Sequence, residues 1–403
     1  MSKRLVSILW CIAGLLAAIT LLVKFGQNRN NDSTSALSQG DTLLQDLPLK
    51  EVSTIKIKTA QDSVSLKRDD EQWSIIERGN YKANFNQLAR LLRSMTEVTV
   101  AQSKKAGPAF NTRFGMGPES ESGYQISFFD NKDKELKSLL VGKSIVEEQA
   151  RPGAASGKYI RLNDDLESVY VVNEPFYDLT AKPTEWLDRS FIFINGIKDI
   201  TLAPGKEIAI NGWTVSRPNA GSDFTIKKLS NNREPQADKL SLMKTALASP
   251  RFADVLTNEQ GKALWNENKT NQLTIHTFEG FKYLIDYCPE KVAKKDNEDS
   301  LLDGNQFLVK IQVSASLPEK REKKEDESEA DSKKADAEFA ANQEELKKKL
   351  KKEQAVANHY YQMNASDFSA LNVGLDVLAK PVVKTEPIAP SICLLYTSPS
   401  PRD

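Results

Sequence analysis

The sequence is poor in the residues on which most metal and nucleophilic chemistry depends. Only three cysteines occur among the 403 residues, Cys11, Cys288 and Cys393, and they are far apart with no CxxC pair. This number and spacing indicate neither a disulfide framework nor a cysteine-ligated zinc site. The two histidines, His276 and His359, are also far apart in the sequence, so few residues are available for histidine-based catalysis or metal binding. We therefore expect no metal and no cofactor.

The sequence also lacks an excess of charge of either sign. Lys plus Arg and Asp plus Glu both number 55, which gives a formal net charge of zero. Proteins that bind nucleic acid usually carry a broad basic field, so we expect no nucleic-acid partner. The length is sufficient for two or three folded units of roughly 100 to 200 residues, each with its own core.

Recognisable catalytic motifs are missing. No GxSxG, HExxH or GxGxxG occurs, and no Ser or Cys has an evident base partner. Residues 141–144 read VGKS, but a phosphate-binding loop also needs a glycine five residues before Gly142, where this chain has Lys137. Paired acids such as Asp69–Asp70 and Asp164–Asp165 are typical of solvated turns. The sequence therefore predicts a protein that is not an enzyme.

One long apolar run lies at the N-terminus. Residues 5–23, LVSILWCIAGLLAAITLLV, contain no charge and are preceded by Lys3 and Arg4 and followed by Lys24. As a helix these 19 residues span about 28 Å, close to the roughly 30 Å of a bilayer core. A cleaved signal peptide is the competing interpretation, but its apolar region is typically shorter and no small-x-small site follows Val23. We predict that residues 1–24 form a cytoplasmic tip and an uncleaved anchor in contact with membrane lipid.

The charges that flank this run favour one orientation. The positive-inside rule places the N-terminus in the cytoplasm and the bulk of the chain outside it. The expected localisation is the bacterial inner membrane, with a single pass and a periplasmic domain. Residues 25–46 are rich in Asn, Ser, Gln and Asp, a composition typical of a polar tether.

Apolar residues alternate with polar ones in three short successive runs, and this arrangement occurs twice. In the first copy the apolar positions are Ile55 and Ile57, Val64 and Leu66, then Trp73 and Ile75. In the second copy they are Ile200 and Leu202, Ile208 and Ile210, then Trp213 and Val215. Such alternation predicts a meander of strands with one buried face.

Each copy continues with a helical pattern and a further apolar run. The spacings of three and four predict helices that bury Phe85, Leu88, Leu92 and Met95 in the first copy and Leu240, Met243 and Leu247 in the second. The following runs contain Val98 and Val100, then Phe252 and Val255. The sequence therefore predicts an α+β fold with a duplicated unit of antiparallel β-meander plus helix.

Further strands are expected between and after the two copies. The segments YQISFF, LKSLLVGK, GKYIRL and VYVV lie between them, and PTEWLDRSF is a helix candidate that begins at Pro183. After the second copy, LTIHTF and FKYLIDY flank Glu279–Gly280 as a hairpin, and QFLVKIQV forms another strand. We place the first unit at 47–190 and the second at 191–317.

The C-terminal part changes in character. Residues 318–357 are dominated by charged side chains, which favours a solvated helix inserted between two strands, with disorder as the alternative. Residues 358–392 are expected to form a strand and an amphipathic helix with Phe368, Leu371 and Leu375, capped by Ser366. Residues 393–403, CLLYTSPSPRD, match one reading frame of a transposase adapter used in sequencing libraries, so we interpret them as an artefact.

The large aromatic residues have two interpretations. Trp73 and Trp213 share the alternation phase of Ile75 and Val215, which favours the core over a binding platform. Four aromatic residues are less constrained by the pattern and form our candidate partner-binding surface: Tyr159, Tyr170, Phe176 and Tyr177.

The order of these short motifs resembles a known family. EVSTIKI, EQWSI, ANFNQLARLL, LLVGK, GKYIRL, VYVV, EWLDRSFI and NGWTVSRP are similar, in this order, to the bacterial domain-of-unknown-function family DUF4340, over most of residues 1–290. The resemblance implies a single-pass membrane protein without an assigned activity. It also implies a gene found beside the auxiliary subunit of gliding-motility-type ABC transporters, and hence protein partners in the cell envelope, ABC transporter subunits among them.

These expectations define one leading function and one alternative. The leading hypothesis is a non-enzymatic, membrane-anchored envelope accessory protein that binds partners as a subunit of an ABC-transporter-type complex. The alternative is a carboxylate-dependent envelope hydrolase or a glycan-binding module, which requires two acids facing each other in a cleft or an exposed aromatic stripe.

Overall fold

The computed structural model describes residues 36–70, 72–117, 119–145, 157–289, 306–321, 327–357 and 359–382. The chain divides into two compact units, Met1–Asp188 and Arg189–Asp403. The predicted anchor at 5–23 and the C-terminal segment 393–403 lie outside the described residues. Among the residues that are described, no helix is long and apolar enough to cross a membrane.

The first unit contains a nine-stranded sheet in which every neighbouring pair is antiparallel. Its strands are β1 (Thr54–Lys58), β2 (Ser63–Asp69), β3 (Gln72–Ile75), β4 (Tyr81–Lys82), β5 (Val100–Lys105), β6 (Tyr124–Phe129), β7 (Glu135–Ile145), β8 (Gly157–Leu162) and β9 (Asp165–Val172). The strand order is β4-β3-β2-β1-β6-β7-β8-β9-β5. Each strand predicted from alternation in this unit is present, because burying one face of a sheet requires that period of two.

The helix of the first unit, α1 (Phe85–Glu97), begins where Asn84 accepts a hydrogen bond from the Gln87 N–H. It buries Leu88, Leu91 and Met95. Our prediction of Phe85 and Leu92 on the buried face was wrong: Phe85, in the first turn, is 58% exposed. The buried face runs through Leu88, Leu91 and Met95 and is rotated slightly around the helix from the face we predicted.

Shorter helical segments complete this unit. Residues Pro108–Phe110 and Pro183–Trp186 form 3-10 turns, and α2 (Asn111–Phe114) is a single helical turn. The folded part also begins earlier than the predicted boundary at residue 47, because Leu43 and Leu44 are buried and Thr42 pairs with Thr99.

The second unit contains an eight-stranded antiparallel sheet and a small two-stranded one. The strands of the large sheet are β10 (Ile197–Ala203), β11 (Trp213–Ser216), β12 (Thr225–Ile226), β14 (Phe252–Leu256), β15 (Asn271–Thr277), β16 (Phe281–Pro289), β17 (Gln306–Ala315) and β18 (Tyr360–Asn364), in the order β12-β11-β10-β15-β16-β17-β18-β14. Strands β13 (Arg233–Pro235) and β19 (Ala379–Pro381) form the small sheet. The helices are α3 (Ala237–Leu242), α4 (Asn258–Leu264), α5 (Glu329–Ala355) and α6 (Leu375–Leu378). Together the two units confirm a mixed α+β fold with large antiparallel sheets and few helices.

One predicted strand of the second unit is absent. Ile208 and Ile210 lie in no strand, because Pro204 and Gly205 end β10 and turn the chain away from the sheet. A Cβ at Gly205 would approach the carbonyl oxygens of Asn268 and Thr270 to 2.8 Å, so the turn packs directly on that backbone. Consequently β11, with Trp213, pairs directly with β10.

The predicted C-terminal amphipathic helix is also not continuous. Ala365–Phe368 form a 3-10 turn and α6 begins after Gly374. Phe368 and Leu371 are nevertheless fully buried. The apolar spacing of this segment thus reports burial correctly but not helical structure, since a run of turns can place the same residues in a core.

Candidate functional site

A buried arginine organises one end of the first sheet. Arg161 on β8 is 1% exposed. Its Nε donates to Asn111 Oδ1 at 2.9 Å, and its Nη2 donates to the Gly107 carbonyl at 3.0 Å. Its Nη1 donates to the carbonyl oxygens of Leu166 and Ser168 on β9. Burial lowers the pKa of Arg161, but a guanidinium stays charged at every physiological pH. Arg161 therefore fastens residues 106–117 across the face of the sheet.

Glycines bring the same segment into close contact with β7. A Cβ at Gly142 would lie 2.4 Å from the Phe114 carbonyl oxygen and 2.9 Å from Met116 Cγ. Gly115 ends α2 with φ of +62°, a left-handed conformation that glycine adopts without strain. The glycine of the VGKS sequence thus has a packing role. Residues 141–144 lie within a strand, so they are not a phosphate-binding loop.

The segment and the sheet enclose a cavity of about 340 Å³ that we call the basic pocket. Its lining contains four cationic side chains, and all four are exposed. It also contains three aromatic rings, of which Phe114 and Tyr159 pack with centroids 4.9 Å apart. The lining residues are Lys104, Lys105, Ala106, Phe110, Arg113, Phe114, Lys143 and Tyr159.

All charged side chains that line the basic pocket are positive. None of the described residues that line it is acidic. Glu167 is an acid close to residues 106–117: its carboxylate lies 3.7 Å from where a Cβ on Gly107 would be. Four cations around one small cavity create a local positive potential that salt screens only beyond about 8 Å. The geometry therefore suits an anionic group that also presents apolar surface to the rings.

The predicted aromatic surface is not formed. Tyr159 lines the basic pocket, and Tyr177 is 82% exposed, whereas Tyr170 and Phe176 are buried. Tyr170 lies on the core face of β9, where its hydroxyl donates to Asp165 and accepts from the Leu37 N–H. Burial, together with Asp165, raises the pKa of Tyr170 to about 12. The prediction of Tyr170 and Phe176 as surface residues was wrong, because β9 is buried on both faces from Ser168 to Val172 and Phe176 is buried in the irregular segment that follows it.

Both tryptophans are core residues, as the alternation predicted. Trp73 is 7% exposed and Trp213 is 5% exposed. The Trp213 Nε1–H donates to the Val373 carbonyl at 2.7 Å, which satisfies its one polar atom. The Arg68 guanidinium lies 6.0 Å from the ring of Trp73. Neither ring is a free binding platform.

The remaining chemical candidates have ordinary partners. His276 Nδ1 lies 2.7 Å from Asp199 Oδ1 at the surface, and burial lowers the pKa of His359. Asp164 pairs with Lys137, and Asp165 accepts a hydrogen bond from the Glu167 N–H at the start of β9. Across the described part of the chain, no group of three or more His, Cys, Asp or Glu side chains has a geometry that could hold a metal ion.

The second unit contains a buried carboxylate at the end of the charged helix. Glu353 on α5 accepts hydrogen bonds from the Phe193 N–H at 2.9 Å and from the Tyr283 hydroxyl at 2.8 Å. Nearby, Lys349 Nζ lies 2.9 Å from Glu279 Oε2 and 4.5 Å from the ring centroid of Phe281. Burial raises the pKa of Glu353. These contacts hold the C-terminal turns of α5 on the sheet.

Residues 73–273 match the model of a family described as a domain of unknown function, DUF4340. The chain belongs to this family, as its motif order indicated. No curated protein and no solved structure matches the chain. The basic pocket lies inside the matched range.

The cations of the basic pocket were not predicted from the sequence. They come from β5, α2 and β7, and nothing in the linear pattern connects those three segments. The Lys104–Lys105 pair at the end of a predicted strand and the lysine of VGKS were the available signals. Only the packing of residues 106–117 on the sheet brings them together.

Proposed function

We propose that this chain is a non-enzymatic, membrane-anchored accessory protein of the bacterial cell envelope that binds a partner through the basic pocket. The observation that carries the proposal is the set of four cations and three aromatic rings around one cavity. Charged groups of a partner give orientation and a fast encounter, and aromatic rings give contact area.

The construction of the pocket supports a binding role. Its wall is held by the buried Arg161 and by close backbone packing at Gly142. A wall fixed before the partner arrives loses little conformational entropy on binding. The exposed lysine side chains can then adjust to the partner's charged groups.

The apolar run at 5–23 supports attachment to the inner membrane, with the folded units on the periplasmic side. The partner class that the family resemblance implies is a subunit of an ABC-transporter-type complex. The membrane attachment and the partner binding are both proposed for the chain with its anchor present.

We further propose that the two units arose by duplication, and the strand connections support this. In the first unit, strands run outward from β1, the helix α1 follows, β5 pairs with β9, and β6 returns beside β1. In the second unit, strands run outward from β10, α3 follows, β14 pairs with β18, and β15 returns beside β10. Trp73 on β3 and Trp213 on β11 occupy different strands of this scheme, so the two residues are not equivalent.

The test uses the full chain in native membranes. A photo-crosslinking residue at Phe110, which is exposed at the pocket, should give an adduct with an envelope protein. The same residue at Phe85, exposed in the same unit but outside the pocket lining, is the matched control. The Phe110 adduct should disappear in the Lys104→Glu/Lys105→Glu double variant.

Membrane attachment is tested by alkaline extraction. The intact chain should stay in the membrane pellet, and deletion of residues 5–23 should release it. Equal adducts at Phe110 and Phe85, or a Phe110 adduct that survives charge reversal, would contradict partner binding at the pocket. Extraction of the intact chain would contradict the anchor.

A further inference from the structure

The strand β5 is the last strand at its end of the first sheet. It pairs with β9 through Gln102–Lys105. Near its start, the Gly40 N–H donates to the Val100 carbonyl and the Val100 N–H donates to the Asp41 carbonyl, both at 2.9 Å. In the described residues this covering segment reaches only Thr99 and Val100, so the outer edge of β5 beyond them is open.

The backbone of this open edge presents its polar groups outward at alternate residues. The Ala106 N–H donates to the Glu167 carbonyl on β9. Because hydrogen-bonded pairs alternate in an antiparallel ladder, the N–H groups of Ser103 and Lys105 point away from β9. These two residues can therefore hydrogen-bond to a further strand.

The basic pocket lies beside this open edge. Lys104 and Lys105 belong to β5 itself, while Arg113 and Lys143 come from α2 and β7. In an extended peptide, side chains on one face are separated by roughly 6.5 to 7 Å. Carboxylates of a strand beside β5 can then reach Lys104 and Lys105, whereas Lys143 on β7 is separated from β5 by β9 and β8 and acts on the peptide only through its charge.

Edge-strand lysines also protect sheets against unwanted pairing, which is the simplest explanation of Lys104 and Lys105. That explanation does not account for Arg113 and Lys143, which lie outside the edge strand, or for the exposed ring of Phe110. A phosphate site is the other explanation. Such sites typically use backbone N–H groups of a loop or helix start, whereas the residues 141–144 lie in a strand and α2 is a single turn.

We propose that the basic pocket and the open edge of β5 together bind an extended acidic peptide segment of a partner protein. The segment adds to the sheet as a strand beside β5, and its carboxylates contact Lys104 and Lys105, while Arg113 and Lys143 add to the positive potential of the pocket. This inference rests on the proposed function and names the chemistry of the partner. Main-chain hydrogen bonds supply affinity, and alternate side chains supply specificity.

The test measures fluorescence anisotropy with the full chain in detergent micelles. The probe is a labelled eight-residue peptide of alternating glutamate and valine. A second peptide has the same sequence but an N-methyl group on every residue, so that it keeps its charge and has no backbone N–H with which to pair as a strand. We expect the N-methylated peptide to bind at least tenfold more weakly.

Charge variants of the protein provide the second arm. Lys104→Glu and Lys105→Glu should each weaken binding at least tenfold, and the neutral Lys104→Gln and Lys105→Gln variants should weaken it less. Lys143→Glu, which changes only the charge of the pocket behind the edge strand, should weaken binding about threefold. Lys58→Glu makes the same change of net charge on an exposed lysine of β1 and should change binding by less than twofold. Circular dichroism shows whether each variant is folded.

Three results would overturn the inference. Equal binding of the methylated and unmethylated peptides would show a charge site without strand addition. Full displacement of the peptide by an equal concentration of inorganic pyrophosphate would show a phosphate site. An equal loss in Lys58→Glu would show unspecific attraction. If the peptides fail to bind while the Phe110 adduct still forms in membranes, this inference falls and the proposed function stands.

Discussion

Replacing Arg161 by methionine should release the segment that forms the wall of the basic pocket. Methionine retains much of the length of the side chain but offers no hydrogen-bond donor. Four acceptors then lose a partner: Asn111 Oδ1 and the carbonyl oxygens of Gly107, Leu166 and Ser168. The contact with Ser168 is buried, whereas the other three are reached in part by water.

The expected magnitude follows from these contacts. An unsatisfied buried acceptor costs about 1 to 3 kcal/mol, and an acceptor that water can reach costs about 0.5 to 1.5 kcal/mol. The sum is about 2.5 to 7.5 kcal/mol for the local structure. Because 1.4 kcal/mol is tenfold in an equilibrium, protection of the amides of residues 106–117 from hydrogen exchange should fall by roughly a hundredfold or more.

The assay is hydrogen–deuterium exchange by mass spectrometry on the full chain, which separates local from global effects. Peptides from β1 in the same unit should exchange as in the wild type. The matched control is Arg217→Met in the second unit, where a buried arginine donates to the carbonyl oxygens of Ile197 and Ala220. Unchanged exchange at 106–117, or an equal increase throughout the first unit, would refute the assigned role of Arg161.

Three further predictions concern the core, the glycine contact and the buried carboxylate. Trp73→Ala should lower the free energy of unfolding by about 3 to 5 kcal/mol in chemical denaturation, as loss of a buried aromatic does; an unchanged midpoint would support a surface role. Gly142→Ala should lower the free energy of unfolding by about 1 to 3 kcal/mol, because its Cβ clashes with the Phe114 carbonyl, and should also weaken peptide binding. Gly221→Ala is the control: a Cβ there would have only a side-chain contact at 3.5 Å, so this change should be nearly neutral. For Glu353, whose pKa is raised by burial, the folded state binds more protons than the unfolded one. Attachment of α5 should therefore weaken as pH rises from about 4.5 through the raised pKa of Glu353. Glu353→Gln should abolish this pH dependence, which hydrogen exchange of α5 measures. An identical pH profile for the wild type and the variant would contradict the prediction.

Much of the fold could be predicted because a sheet imposes a local pattern. The strands β6, β7, β8 and β9 follow from alternation or apolar runs, and the hairpin of β15 and β16 follows from the turn at Glu279–Gly280. The pattern failed at Ile208 and Ile210, where Pro204 and Gly205 redirect the chain. It failed again in the C-terminal segment, where apolar spacing reflected burial in turns.

The candidate site depended on information that local patterns do not contain. The apolar run VYVV placed Tyr170 on a strand but did not show that this strand is covered on both faces. The structure buries both faces of β9 at Tyr170 and leaves the ring of Tyr159 at the pocket. The charged pair of Lys104 and Lys105 was visible in the sequence, but its cationic neighbours were not.

The sequence by itself determined the periodic features of this protein, because each depends on residues a few positions apart. These are the apolar run at 5–23, the strands with one buried face, the helix at 85–97, the burial of Trp73 and the membership of the DUF4340 family. The tertiary structure alone decided the strand order and the basic pocket. Both require contacts between segments far apart in the chain, such as Arg161 with Asn111 and Gly142 with Phe114, and such contacts leave no local period to detect.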